Sequence, residues 1–307
     1  MSAESKKPFI HAPFESVKHS AKAFIYPCGV MDILASTSPD FGPKGWEAAE
    51  DYTKPAKARP VADQQGEAAA AQQTKQQPQA LAEDIERSMR RARAKVRRMA
   101  LANEFRYFVT LTLDPAKVDS CDGAAVVKKL NAWASNAVQR HGLRYILVPE
   151  RHKKGGIHFH GFFNDALPAV DSGTIRVPWA KKPRKPRSAA ERAEWLAAGG
   201  RVVYNLPGWA LGFTTALELY GDYPAAVAYV CKYIGKDGEK PAGRWYYSGG
   251  DLQLPRAEFF EMSPAELVAE YGDRAIIITP PGKQIAVVNG IFVRDRVQKE
   301  EQCNNCF

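Results

Sequence analysis

The chain has 307 residues, 45% of them hydrophobic, with 43 Lys and Arg against 34 Asp and Glu and a formal net charge of +9. That length and apolar share support a real core, and no apolar run is long enough to cross a membrane. The opening MSAESKKPFI has no signal-peptide apolar stretch and the five cysteines are scattered, so the expectation is a reduced, cytoplasmic protein with no membrane partner.

Residues 1–80 read as an arm. It is rich in Pro, Lys and Ser to about residue 60, then low in complexity through ADQQGEAAAAQQTKQQPQA, which has too few large apolar groups to repay its ordering. A basic helix is predicted from Leu81 to about Asn103 within a segment 81–105. From Arg87 to Arg98 it carries seven Lys or Arg and no acid, and a second run, KKPRKPR, spans Lys181 to Arg187. Two such runs suit a polyanion, and Arg90, Arg91, Arg97, Arg98, Lys181 and Lys182 are the candidate phosphate contacts.

The compact domain is expected over 106–240. RYFVTLTLDP (106–115) alternates as a strand and stops at Asp-Pro. Residues 123–140 place Val126, Leu130, Trp133 and Ala137 at helical spacing, and His141-Gly142 ends that helix. LRYILVPE (143–150) and GIHFHGFF (156–163) form a hairpin across RHKKGG, and a basic insertion covers about 165–200. RVVYNL and GFTTALEL add two strands, and DYPAAVAYVCKYIGK (222–236) is a helix with Pro224 in its first turn. The order β-α-β-β-insertion-β-β-α predicts an α+β domain with a largely antiparallel sheet and helices on one face. Residues 241–307 read as a small α/β extension, with a capping box at Ser263–Glu266 and a type I′ hairpin signal at Asn289-Gly290. The closing CNNCF has no second cysteine pair to complete a zinc site and reads as a tail.

Strand alternation puts His158, His160 and Phe162 on one face and Ile157, Phe159 and Phe163 on the other. The hairpin returns Glu150 beside the two imidazoles, and a His₂Glu set with open positions suits a divalent metal. Two solvated histidines on a surface strand would carry the same letters. Along the later helix, Tyr229, Lys232, Tyr233 and Lys236 fall within a 100° arc, away from the arc of Val227, Val230 and Ile234. Two phenols beside two ammoniums suit attack on a phosphodiester, because a nearby cation stabilises the phenolate. An amphipathic helix with tyrosines at the core edge would read alike. Thr110 and Thr112 share a strand face from which they can reach nucleic-acid backbone.

In order along the chain, FVTLTLDP, HFHGFF and YVCKYIGK resemble the three motifs of the HUH endonuclease superfamily, and among its members the two-tyrosine rolling-circle replication initiators of single-stranded DNA phages and plasmids. The resemblance covers about residues 106–236. It implies a five-stranded antiparallel sheet with flanking helices, holding Mg²⁺ or Mn²⁺ through Glu150, His158 and His160. It implies Tyr229 and Tyr233 as alternating nucleophiles, with Lys232 as the motif lysine and Lys236 a looser match. Such enzymes cut one strand at a replication origin, keep the 5′ phosphate on tyrosine, release a 3′ hydroxyl as primer and later rejoin the strand, in the cytoplasm of a bacterial host. The chain shows no Gly-x-x-x-x-Gly-Lys-[Ser/Thr], so a host helicase and DNA polymerase are expected as partners in trans. A relaxase or transposase of the same superfamily is the near alternative, and a non-catalytic nucleic-acid-binding module the more distant one. A zinc hydrolase is disfavoured by the lack of His-Glu-x-x-His.

Overall fold

The computed structural model describes residues 19–39, 41, 78–153, 155–219, 221, 223–236, 238–279 and 282–292. The elements begin with β1 (Ala21–Ile25), β2 (Val30–Ser36), α1 (Pro78–Ala102), β3 (Tyr107–Leu113), α2 (Gly123–His141), β4 (Tyr145–Arg151) and β5 (Ile157–Phe163). There follow β6 (Val170–Arg176), α3 (Ala189–Ala197), β7 (Arg201–Asn205), β8 (Gly212–Glu218), α4 (Tyr223–Cys231) and β9 (Tyr247–Gly249). The last are β10 (Arg256–Phe260), α5 (Pro264–Tyr271), β11 (Ile276–Ile278) and β12 (Ile285–Phe292). They fall into two compact units, one of which runs from α1 to Pro255 and the other of which joins β1 and β2 to the chain from Arg256 onward.

The α1-to-Pro255 unit is built on a seven-stranded antiparallel sheet in the order β6-β7-β8-β3-β5-β4-β9. Alternation on β3 sends Val109 and Leu111 to one face, where they meet Phe159 and Phe163 of β5 and Leu130, Ala134 and Ala137 of α2. Burying a side chain such as Leu130 contributes about 1.5–3 kcal/mol. Asp122 caps α2 through the amides of Ala124 and Ala125, and Gly142, at φ 67°, ends it in the left-handed region where Gly costs least. The other sheet face receives α4. Phe162 packs there against Phe105 and Tyr223, with ring centroids 5.8 and 6.2 Å apart, and α4 buries Val227 and Val230.

The sequence and the structure differ at several places in the fold. Helices flank both faces of the sheet rather than one, because Phe162, Val227 and Val230 give the second face its own apolar cover. The five expected strands are present as β3, β4, β5, β7 and β8, and the sheet gains two more, β6 from the insertion and β9 from beyond residue 240. The basic run is folded back on β6 by paired backbone hydrogen bonds between Ile175 and Arg184 of 2.8 and 2.9 Å. The tyrosine helix stops at Cys231, not Lys236. Lys232, Tyr233, Ile234 and Lys236 continue as turns in which each amide bonds the carbonyl three residues back. Asn289-Gly290 makes no hairpin, for β12 runs through it with an irregularity between Val288 and Ile291, and Gly290 (φ 70°) gives its amide to Asp32.

The second unit is a five-stranded antiparallel sheet in the order β10-β1-β2-β12-β11, with Leu267 of α5 packed on Ile33 and Val288. Two of its strands lie where the sequence reads as an irregular arm. The expected capping box at Ser263–Glu266 is present, with Pro264 opening α5. The Gln/Ala-rich stretch up to residue 77 and the CNNCF tail lie outside the described residues. Among the described residues no helix is long and apolar enough to cross a membrane.

Candidate active site

Register builds the site. Across the sheet Thr112 pairs His158 and His158 pairs Glu150, while Thr110 pairs His160 and His160 pairs Val148. Partners opposite one another in an antiparallel ladder share a face, so both threonines, both histidines and Glu150 project together. Thr110 Oγ1 lies 3.1 Å from His160 Nδ1, and Thr112 Oγ1 lies 3.2 Å from His158 Nδ1. The two threonines expected to touch nucleic acid are therefore engaged with the two imidazoles.

His160 Nε2 is 2.8 Å from Glu150 Oε2, and both side chains are largely buried. Lys236 Nζ pairs with the other oxygen of the same carboxylate. Burial lowers the pKa of His160 against the opposing pull of Glu150. Burial and the neighbouring His152 lower that of His158. Both rings are thus biased to the neutral form, which is the form that ligates metals.

The tyrosines come down over this face from α4 and the turns after it. The Tyr233 ring stacks on His160 at 4.1 Å between centroids and 14° between planes, and its hydroxyl hydrogen-bonds the Tyr229 hydroxyl at 2.7 Å. Tyr229 is 50% exposed and packs edge-on against Phe108. Burial raises the pKa of Tyr233, as do the bond to Tyr229 and the charge of Glu150. Lys236 Nζ lies 5.4 Å from the centre of the Tyr233 ring. Lys232 is exposed and enters none of these contacts among the described residues. Of the two candidate lysines, Lys236 is the one at the carboxylate.

Three expected metal ligands thus share one face, and the structure puts two of them, Glu150 and His160, in direct contact. Among the described residues no group of three or more His, Cys, Asp or Glu side chains is gathered as a ready metal cage. The donor chemistry nevertheless fits a divalent ion. A threonine takes up Nδ1 of each imidazole, which leaves Nε2 as the outward donor, and a carboxylate stands beside one of them.

The phosphate contacts expected on α1 divide by face. Arg90 and Arg91 are exposed, and Arg90 pairs with Glu86 at 3.0 Å. Arg97 is half-buried, and Arg98 Nε reaches the Ala94 carbonyl of its own helix at 3.3 Å. The packed side of α1 buries Val96 and Met99. Its Arg93 donates Nε and Nη2 to the Ile234 carbonyl at 3.1 and 2.7 Å, bracing the tyrosine segment. At the next residue, Gly235 has φ 76° and leaves room for Met89, whose thioether a Cβ would strike. Lys181 and Lys182 are exposed, and Lys181 lines a hollow that also touches His160, Tyr229 and Tyr233.

Residues 106–238 match the family model of replication-associated proteins of the ORF2 and gene-2-protein type. The match supports a role in DNA replication of the rolling-circle initiator kind for this segment, somewhat under half of the chain. It contains Thr110, Glu150, both histidines, both tyrosines and Lys236. It leaves out α1, which nevertheless braces the matched segment through Arg93. No curated protein and no solved structure matches the chain.

Two contributors escape a reading of the sequence. His152, whose ring centre is 5.1 Å from that of His158, sits in the hairpin turn and has no motif to mark it. Arg93 is one cation in a basic run, and only the packing of α1 on α4 separates it from its neighbours. The threonine–histidine pairing was open to inference, since β3 and β5 are adjacent alternating strands.

Proposed function

We propose that the chain is a replication initiator that nicks single-stranded DNA at an origin through tyrosine and later rejoins the strand. One observation carries the reading: Tyr233 lies flat on His160, whose Nε2 faces Glu150, with Tyr229 hydrogen-bonded alongside. A phenol beside donors able to hold the ion that a phosphodiester needs supports this reading.

Glu150, His158 and His160 would hold Mg²⁺ or Mn²⁺. When bound, the ion supplies Lewis-acid charge to the non-bridging oxygens of the scissile phosphate. Thr110 and Thr112 orient the imidazoles. The more exposed phenol, Tyr229, is the first nucleophile, and its proton leaves to solvent or to a neighbouring base. The bond formed joins Tyr229 oxygen to phosphorus, and the bond broken frees the 3′ hydroxyl of the upstream nucleotide. Tyr233, more buried and with its pKa raised, is suited to the second cleavage. Lys236 sits where it can shift between the Glu150 carboxylate and a phenolate. Exposed Arg90, Arg91 and Lys182 remain candidates for phosphate contacts, and a host helicase and polymerase would extend the released primer.

The test is covalent capture from a randomised pool of single-stranded DNA with Mn²⁺, with and without chelator. A chelator-sensitive adduct on Tyr229 or Tyr233 is expected. Each single Tyr→Phe variant should keep part of the adduct, with the larger loss for Tyr229→Phe, and the double variant should keep none. An undiminished adduct in the double variant would refute the assignment.

A further inference from the structure

Beside the tyrosine pair lies a hollow of about 490 Å³ that the motif residues leave unexplained. Its floor is the sheet face itself, where Phe108 pairs Leu217 and Leu217 pairs Val203 to make an apolar strip. The adjoining row, Thr110 and Thr215, adds hydroxyls. The phenol pair of Tyr229 and Tyr233 lines it, and so do three cations, Arg176, Arg201 and Lys181.

Among the described residues no Asp or Glu lines it. Two of the cations are held by their side chains, Arg176 donating to the Lys181 carbonyl and Arg201 to the Glu218 carbonyl, and the Ile175–Arg184 bonds fasten the basic run that carries Lys181 to β6. The insertion is therefore a built wall of the hollow and not a free basic loop.

An apolar floor, phenols and cations in the lining match a ligand with a flat apolar part and an anionic part. The volume lies within the range of about 300–1,000 Å³ typical of small-ligand sites. We propose that this hollow seats one unpaired nucleotide next to the scissile phosphate, its base over the Phe108–Leu217 strip and its phosphate towards Lys181 and Arg176. The inference rests on the single-strand reading above and adds to it: the insertion gives the site a base-holding subsite, separate from any phosphate contact along α1. A base fixed there would set which phosphate reaches the phenols.

The experiment uses the full chain with EDTA present, so that binding is read without cleavage. A labelled oligodeoxythymidine carrying 5-iododeoxyuridine is bound and irradiated, and the cross-links are mapped by mass spectrometry. Cross-links in the peptides of Phe108 and Tyr229 are expected. By anisotropy, Ala226→Trp, which fills the hollow from α4, should weaken binding about tenfold, the scale of one lost stacked base. Lys181→Ala should lower the salt slope by about 0.7. Cross-links found only elsewhere, or Ala226→Trp binding within about twofold of the native chain, would overturn the subsite. Should Ala226→Trp fail to fold by its melting curve, the cross-links on the native chain decide. An adduct with normal binding in Ala226→Trp removes the subsite and leaves the nicking reading standing. Cross-links in the hollow of a chain that forms no adduct keep the subsite and remove the tyrosine chemistry.

Discussion

Arg93→Ala separates two roles for the basic helix. The guanidinium gives two hydrogen bonds to the Ile234 carbonyl, at 3.1 and 2.7 Å, in a half-buried setting. The carbonyl lies within the run of turns that carries Tyr233 and Lys236. Because the two bonds share one acceptor, they count as one charge-assisted contact, contributing about 1.5–3 kcal/mol. For a unit of this size the melting temperature should fall by about 2–4 °C per kcal/mol, hence by about 4–8 °C for a loss of about 2 kcal/mol. Arg93→Lys, which keeps the charge but offers a single ammonium, should recover part of the loss. Calorimetry measures the shift, and single-strand binding at several salt concentrations supplies the second reading. If Arg93 acts as a strut, the salt slope is unchanged while adduct yield drops as Tyr233 loosens. A melting temperature within about 1 °C of the native value, with a salt slope lowered by about 0.7, would refute the argument and make Arg93 a phosphate contact.

Two further outcomes can be checked. Thr112→Val removes the Nδ1 partner of His158 and should weaken Mn²⁺ binding by about 10–100-fold in titration calorimetry, with Thr110→Val acting likewise on His160; unchanged affinity would show that the threonines orient nothing. Burial pushes the Cys231 thiol up to about 11, so at pH 8 only on the order of a thousandth of it is thiolate. Iodoacetamide should then label exposed Cys28 and Cys121 well before Cys231, with the Cys231 rate climbing as pH rises towards 11, and early labelling of Cys231 would contradict its packing against α1.

What could be read from the sequence follows periodicity. The β3 and β5 strands alternate cleanly, so the shared face of Thr110, Thr112, His158 and His160 was legible, and Glu150 followed from the short hairpin. The tyrosine arc was legible as a helical face, but its tightening after Cys231 was not. That change brings Lys236 rather than Lys232 to Glu150, and it depends on Arg93 and Met89 of a helix distant in sequence. The strands β1 and β2 pair with each other as a local hairpin, but the outer neighbours that make them the centre of a sheet lie more than two hundred residues away, which no local pattern announces. At β6, VDSGTIR carries a register shift and positive-φ Gly173, which break the alternation a strand is recognised by.

The second unit has a consequence in time. Its sheet interleaves strands from both ends of the chain, β10 beside β1 and β12 beside β2. During synthesis β1 and β2 leave the ribosome first and must wait for everything between them and Arg256 before their edges are covered. The residues of the candidate site, all contained between Thr110 and Lys236, can be in place before that sheet closes. A chain halted just before β10 would therefore carry a complete site together with two unpaired strand edges, a species expected to associate with its own kind.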